Sequence, residues 1–308
     1  AGMPVYRLSD AHLADVPGIL KTQFALAATD GNGVPVDATG VQHPGVLDAL
    51  YSYDGELGVS FDEGAPTIRL WAPTARAVTL HLFNSSDNSA PATLVVPMTE
   101  DLTTGTYTAA GSASWDRMYY LFEVEVFARF SGEVETFMVT DPYSLSLSMD
   151  SRRSQIVNLD DGDLRPSGWK KLRKPALRAP EDIAIYELHV RDFSIHDESV
   201  PDTLKGTFGA FAIKRTHGIR HLRRLSRSGL SHVHLLPAFD CATIPEDRST
   251  HADPGDLSVY APNGEEQQAA VDAIRDQDGF NWCYDPFHYT VPEGSYATGA
   301  DGPARILE

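Results

Sequence analysis

The chain has 308 residues, 42% of them hydrophobic and 9% aromatic, which is enough apolar material for two or three folded domains and argues against disorder. Its formal charge of −18, from 25 basic against 43 acidic residues, speaks against nucleic acid or an anionic membrane surface as a partner. No apolar run approaches the ~18 residues of a membrane span, and the N-terminal Ala-Gly-Met-Pro has neither the charged nor the apolar part of a targeting peptide. Compartment therefore stays open, with secreted, cell-surface and plastid settings all compatible.

Residues 1–52 read as part of a β domain and its junction. Lys21–Ala28 and Val34–Ala38 flank Asp30-Gly31-Asn32-Gly33, a strong hairpin signal. Pro44-Gly45 leads into a short apolar stretch, Val46–Leu50. A hairpin with so little apolar surface is marginal alone.

Residues 53–168 read as an all-β sandwich. Thr67–Trp71 is followed by the turn Ala72-Pro73-Thr74. Ala77–Phe83 then puts Val78, Leu80 and Leu82 on one face and Thr79 and His81 on the other. Tyr119–Phe130 is a longer strand with Leu121 opposed in parity to Phe122, Val124 and Val126. Strand and turn recur with no convincing helix between them. Trp71 and Trp115 are expected in the sandwich core. Asp160-Asp161-Gly162-Asp163 lacks the longer ligand ladder of an EF-hand and reads as a solvated turn.

Residues 169–308 change character. Ile183–Phe193 is predicted as a strand with Ala184, Tyr186, Leu188 and Val190 on one face. On its other face Glu187 and Arg191 are expected to form a structural ion pair. A helix follows, with Ile219, Leu222 and Leu225 recurring every third residue, Arg223, Arg224 and Arg227 in its last turns, and Gly229 placed to end it. Ser231–Pro237 is the next strand. Strand, helix and strand with short joints imply a parallel βα unit, whose ligands bind beyond the carboxyl ends of the strands. His217 and His221 stand one helical turn apart and His232 and His234 two residues apart, but neither pair has the further ligands of a metal site.

The stretch 239–298 follows that second strand and reads as irregular. Within it, 281–296 carries Trp282, Tyr284, Phe287, Tyr289 and Tyr296 among Pro and Gly turn formers. The run is expected to form a rigid loop without helical or alternating period, displaying flat rings suited to sugars. Cys241 and Cys283 bracket this region. A bridge between them would add roughly 3–4 kcal/mol in the chain-entropy model, but two free thiols are the preferred reading of a single pair in so long a chain.

Ile185-Tyr186-Glu187-Leu188-His189-Val190-Arg191-Asp192-Phe193-Ser194 resembles the first barrel strand of pullulanase-type (limit dextrinase-like) debranching enzymes of the α-amylase superfamily. His232-Val233-His234-Leu235-Leu236-Pro237-Ala238-Phe239-Asp240 is similar to their second strand, and Asn281-Trp282-Cys283-Tyr284-Asp285-Pro286 through Ser295-Tyr296 to the aromatic loop lining their cleft. Leu70-Trp71-Ala72-Pro73-Thr74-Ala75 and Val139-Thr140-Asp141-Pro142-Tyr143-Ser144 resemble the family-48 carbohydrate-binding module. Thr39-Gly40-Val41-Gln42 through Gly45-Val46-Leu47-Asp48 is similar to the junction before it.

The resemblance implies a multidomain chain: an all-β carbohydrate-binding sandwich followed by the first two βα units of an incomplete (β/α)8 barrel. It further implies hydrolysis of α-1,6 branch links in pullulan, amylopectin or limit dextrins with retention, an α-glucan as partner, no required cofactor, and a structural calcium ion as an option. Retention needs two carboxyls about 5–5.5 Å apart, and in the family these sit on later strands. The third-strand signature Asp-x-x-x-x-Asn-His is absent from these 308 residues, so no catalytic residue is assigned and the chain alone is expected to be inactive. Two barrel strands without neighbours would also leave an unpaired edge prone to aggregation. Tyr284 matches the family tyrosine that stacks on the glucose beside the scissile bond, with Trp282, Asp285, His288 and Tyr289 shaping the same wall. Cys283 stands where the family usually has glycine. A non-catalytic glucan-binding fragment, or an isoamylase or branching-enzyme relative, are the alternatives.

Overall fold

The computed structural model describes residues 10–280 and 282–308; the N-terminal Ala-Gly-Met-Pro and Asn281, both read above, lie outside the described residues. The chain divides into two compact units. One comprises residues up to Phe83, Pro91–Trp115 and Tyr120–Asp141, the other Asn84–Ala90, Asp116–Tyr119 and Pro142–Glu308.

Among the described residues the first unit begins with a 3-10 helix (Asp10–Asp15) that runs into a single helical turn, α1 (Val16–Ile19), followed by the expected hairpin, β1 (Ala25–Thr29) against β2 (Pro35–Gly40). Its turn is set by Asp30, whose Oδ1 accepts the backbone N–H of Asn32 and Val34 at 2.8 and 2.9 Å. Gly33 takes the left-handed φ of +80° that a side chain resists. Val46–Leu50, read from sequence only as an apolar stretch in a β-like segment, lies in a helix, α2 (Pro44–Leu50). Proline at its first turn suits that position, where its missing N–H has no partner to lose.

Two sheets follow. One orders β3 (Gly58–Asp62), β4 (Ala65–Trp71), β8 (Thr106–Ala110) and β7 (Thr99–Asp101) as β3-β4-β8-β7. The other runs β10-β9-β5-β6, from β5 (Ala75–Phe83), β6 (Leu94–Pro97), β9 (Tyr119–Ala128) and β10 (Glu133–Val139). Period-two alternation makes the apolar interior: Ile68, Leu80, Leu82, Tyr120 and Phe122 are fully buried. Trp115 is buried as expected. Trp71 is only half-buried and donates its indole N–H to the Tyr51 carbonyl at 2.9 Å.

In the second unit, β11 (Ser154–Gln155) is followed by β12 (Ile185–Leu188), helix α3 (His217–Arg227) and β13 (His232–Leu235). β12 and β13 pair in parallel, Ile185 opposite His232 and Leu188 opposite Leu235, so the expected βα unit is present. Thr216 caps α3 by accepting the Ile219 N–H, and Gly229 follows its end at φ +110°. The strand expected to reach Phe193 stops at Leu188, because the chain turns there: Phe193 N–H donates to the His189 carbonyl at 3.0 Å. Burial does not alternate here: Ile185, Tyr186 and Glu187 are exposed, and Leu188, His189 and Val190 are all buried. The expected Glu187–Arg191 pair is therefore not formed; Glu187 faces His234 at 3.3 Å and Arg191 faces Asp192 at 3.1 Å.

The stretch beyond β13 is less irregular than expected. β14 (Phe239–Cys241) pairs antiparallel with β15 (Pro286–Pro292), and two helices, α4 (Glu266–Asp272) and α5 (Ala304–Leu307), complete the unit. β15 occupies the middle of the aromatic run that showed no alternating period. Its two prolines bracket the strand at its ends, where a missing N–H costs least. Phe287 and Tyr289 point outward while His288 and Val291 point in. The acidic turn at Asp160–Asp163 is tied down rather than simply solvated: Arg117 reaches Asp161 at 2.6 Å and Asp163 at 2.9 Å.

Candidate functional site: an aromatic surface on a buried ionic base

The β14–β15 pair carries two kinds of chemistry. Outside are rings: Tyr284 and Tyr289 are each 71% exposed, Trp282 52% and Phe287 51%. Trp282 is backed by other rings, lying edge-on to His189 at 5.9 Å and to Phe280 at 5.4 Å. Tyr289 leans on Phe239 with centroids 5.1 Å apart. Asp285 is half-buried, its carboxylate accepting the Thr243 hydroxyl and its carbonyl the Ala242 N–H at 3.0 Å. His288 alone among the five expected wall residues turns inward; it is 2% exposed and its Nδ1 lies 2.7 Å from Asp240 Oδ2. The structure thus brings Trp282, Tyr284, Asp285 and Tyr289 onto the loop and strand surface and puts His288 beneath it.

Underneath is a fully buried ionic cluster. Asp240, Glu246 and Glu293 bring carboxylate oxygens within 4.8 Å of one another. Arg305 reaches Glu246 at 2.6 Å and Asp240 at 3.5 Å, and also donates to the Ala300 carbonyl. Glu293 accepts the backbone N–H of Cys241 and of Ser295, both at 2.8 Å. From the other side, the turn at Asp150–Ser151 caps the cluster. Asp150 N–H donates to Glu246 and Ser151 Oγ to Asp240 at 2.6 Å, and both residues hold left-handed φ, 56° and 53°. Strain of that kind persists only where surrounding bonds over-determine it.

Burial pushes the Glu246 carboxyl up to about 8, with Arg305 opposing and Glu293 and Asp240 adding to the rise. Burial likewise pushes Glu293 up to about 7, against the backbone N–H bonds that favour its charged form. The spacing invites comparison with a pair of glycosidase carboxyls, but these oxygens are sealed from solvent and committed to Arg305 and backbone donors, so no sugar reaches them. The same guanidinium argues against calcium: it already supplies the positive charge that an ion would bring. The cluster instead joins β14, β15, α5 and the Asp150 turn, all within the second unit, into one base beneath the rings.

The preferred reading of two free thiols is wrong. Cys241 and Cys283 are disulfide-bonded, and both half-cystines are buried in a cluster with Val190, Ile244 and Tyr296. The bond joins the end of β14 to the residue before Tyr284. Sequence reasoning also missed Asp240, Glu246, Glu293 and Arg305 as a unit; charged residues are rarely buried unless paired, and their partners lie too far apart in sequence to be read together.

The comparisons with known proteins agree with this architecture. The family described as Pullulanase N2 domain matches residues 1–49, and Carbohydrate-binding module 48 (Isoamylase N-terminal domain) matches residues 56–144. Over 96% of its length the chain is 40% identical to Pullulanase 1, chloroplastic, of Arabidopsis thaliana and 35% identical to a pullulanase of Klebsiella pneumoniae, covering 31% of each. A crystal structure of Klebsiella pneumoniae pullulanase complexed with maltotriose superposes with a TM-score of 0.86 at 33% identity, covering 95% of this chain and 32% of that one. The chain is a homologue of the pullulanases over most of its own length and carries matches to a pullulanase N2 domain and to carbohydrate-binding module 48. It spans about a third of the length of the curated relatives it matches. Among the described residues no helix is long and apolar enough to cross a membrane.

Proposed function

We propose that this chain is the glucan-engaging front portion of an enzyme that hydrolyses α-1,6 branch links in pullulan, amylopectin or limit dextrins with retention. Its proposed parts are an N-terminal β domain and junction (1–52), a carbohydrate-binding sandwich (53–168), and the first two βα units of a (β/α)8 barrel (169–308). The observation that carries the reading is the exposure of the Tyr284, Trp282 and Tyr289 rings, with Trp282 against His189 and Tyr289 against Phe239, residues that follow the carboxyl ends of a parallel strand pair, the side on which such barrels bind ligands. Homology to a pullulanase crystallised with maltotriose supports the same ligand class. Ring faces with polar rims stack on the apolar faces of glucose units, and Asp285, held by Thr243, steadies the loop beside them.

No reacting carboxyl is assigned to this chain in this reading. Assayed for reducing ends on pullulan, the chain gives no turnover above a blank; measurable hydrolysis would overturn that assignment. A second reading, in which the sandwich alone binds glucan, is favoured by the match to a carbohydrate-binding module. Affinity electrophoresis in amylopectin gels separates the two. The proposal expects retardation of the whole chain, lost on removal of residues 170–308 and weakened by Tyr284→Ala. Equal retardation of the truncated chain favours the sandwich.

A further inference from the structure

Tyr284 is as exposed as Tyr289, the two being the most open rings of the surface, and among the described residues it makes no hydrogen bond or ring contact of its own. Trp282 and Tyr289 have aromatic backing; Tyr284 does not. Its orientation is therefore set by the backbone on either side. On the C-terminal side Asp285 is fixed by the Ala242 N–H at 3.0 Å and by the Thr243 hydroxyl. On the N-terminal side is Cys283, at φ +57°, in the left-handed region where a residue with a Cβ pays a steric penalty. Glycine takes that conformation freely; a cysteine held there needs a restraint. A covalent restraint is present in the bond to Cys241, whose own backbone is anchored by Glu293 at 2.8 Å and by pairing with Pro286.

We propose that the Cys241–Cys283 disulfide is a positioning device for Tyr284: it holds residue 283 left-handed in place of a glycine and so fixes the outward ring of the next residue. The inference rests on the glucan reading of the ring surface for its effect on binding. The bond is buried, with Cys283 fully covered and Cys241 5% exposed, so the pair acts on the ligand only through Tyr284. Three consequences follow from the geometry. Cys283→Ser keeps the Cβ and loses the restraint, so the backbone relaxes out of the left-handed region and the ring loses its place. Cys241→Ser/Cys283→Gly loses the restraint but also the Cβ, so the turn is kept. Tyr284→Ala removes the ring and makes the state of residue 283 irrelevant to the ligand.

The test is maltotriose titration of the chain and these variants, followed by NMR at a temperature where near-ultraviolet circular dichroism shows each variant folded. Cys283→Ser is expected to weaken binding about tenfold, equivalent to ~1.4 kcal/mol, and the glycine double variant to stay within about twofold of the parent. Adding Cys283→Ser to Tyr284→Ala should cost nothing further. Equal losses in the serine and glycine variants, or no loss in either, overturn the proposal, since a bond serving stability alone would treat them alike. Should the parent chain not bind maltotriose, the glucan reading fails, and amide exchange at residues 282–285 decides the positioning claim separately. Faster exchange in the serine variant with parent-like protection in the glycine variant supports it, and identical protection in both contradicts it.

Discussion

The two units of this chain differ in what surrounds their best-buried groups. In the first, strand alternation fills the interior with Ile68, Leu80, Leu82 and Phe122, and the buried carboxylate Asp141 is met by the Tyr120 hydroxyl at 2.8 Å. In the second, the best-buried groups around the candidate site include Asp240, Glu246, Glu293, His288 and Arg305, while the parallel strands leave Ile185, Val233 and Leu235 exposed. An apolar interior tolerates the loss of one member at a graded cost set by the cavity left behind. An ionic interior does not, because removing one charge strands the others without solvent. The comparison teaches that the ring surface stands on a base held by mutual satisfaction of charges as well as by the apolar cluster around Cys241 and Cys283.

The largest expected effect breaks that base. Arg305→Ala leaves Glu246 and Asp240 unmatched and should destabilise the second unit by roughly 3–5 kcal/mol, read as loss of amide protection in β14 and β15 with β4 and β9 unchanged. The counterpart in the first unit is Leu80→Ala, expected to cost roughly 2–5 kcal/mol, with loss of protection confined to the sandwich strands. Equal, modest effects from both would erase the contrast between the two interiors.

A smaller effect concerns pH. Burial holds the Glu246 and Glu293 carboxyls well above their ordinary 4.5, pushed up to about 8 and about 7. The folded state therefore binds more protons than the unfolded state between those values. Their contribution to stability is full below pH 4.5 and is lost as pH rises through 7 and 8. The melting midpoint of the second unit should fall across that window, and Glu246→Gln should flatten the slope. A midpoint that rises from pH 5 to 8 would contradict the sign. Least costly for stability is Tyr284→Ala, expected within about 0.5 kcal/mol of the parent, because the ring is exposed; its effect belongs to binding.

How much of this was legible in the sequence follows the same division. Val78, Leu80 and Leu82 announced the β5 face because period-two burial is written locally. So did the Asp30–Gly33 turn and the Ile219, Leu222 and Leu225 stripe of α3. The family-48 and pullulanase resemblances were equally readable from motifs. The ring surface was visible as composition, although its strand was not, since Pro286 and Pro292 masked a period that runs between them. The ionic base was not visible: Asp240, Glu246, Glu293 and Arg305 are joined by pairing across long sequence separations, which no local pattern encodes. The Cys241–Cys283 bond escaped for a similar reason, two cysteines being too few to declare a framework.

The central claim is that the outward rings of the second unit receive a glucan. The most direct measurement is the NMR response of individually assigned aromatic resonances to maltotriose. The account predicts shifts at Tyr284, Trp282 and Tyr289, with inward-facing His288 and sandwich residue Trp115 unmoved. Saturable binding that shifts sandwich resonances while leaving Tyr284 untouched would contradict it.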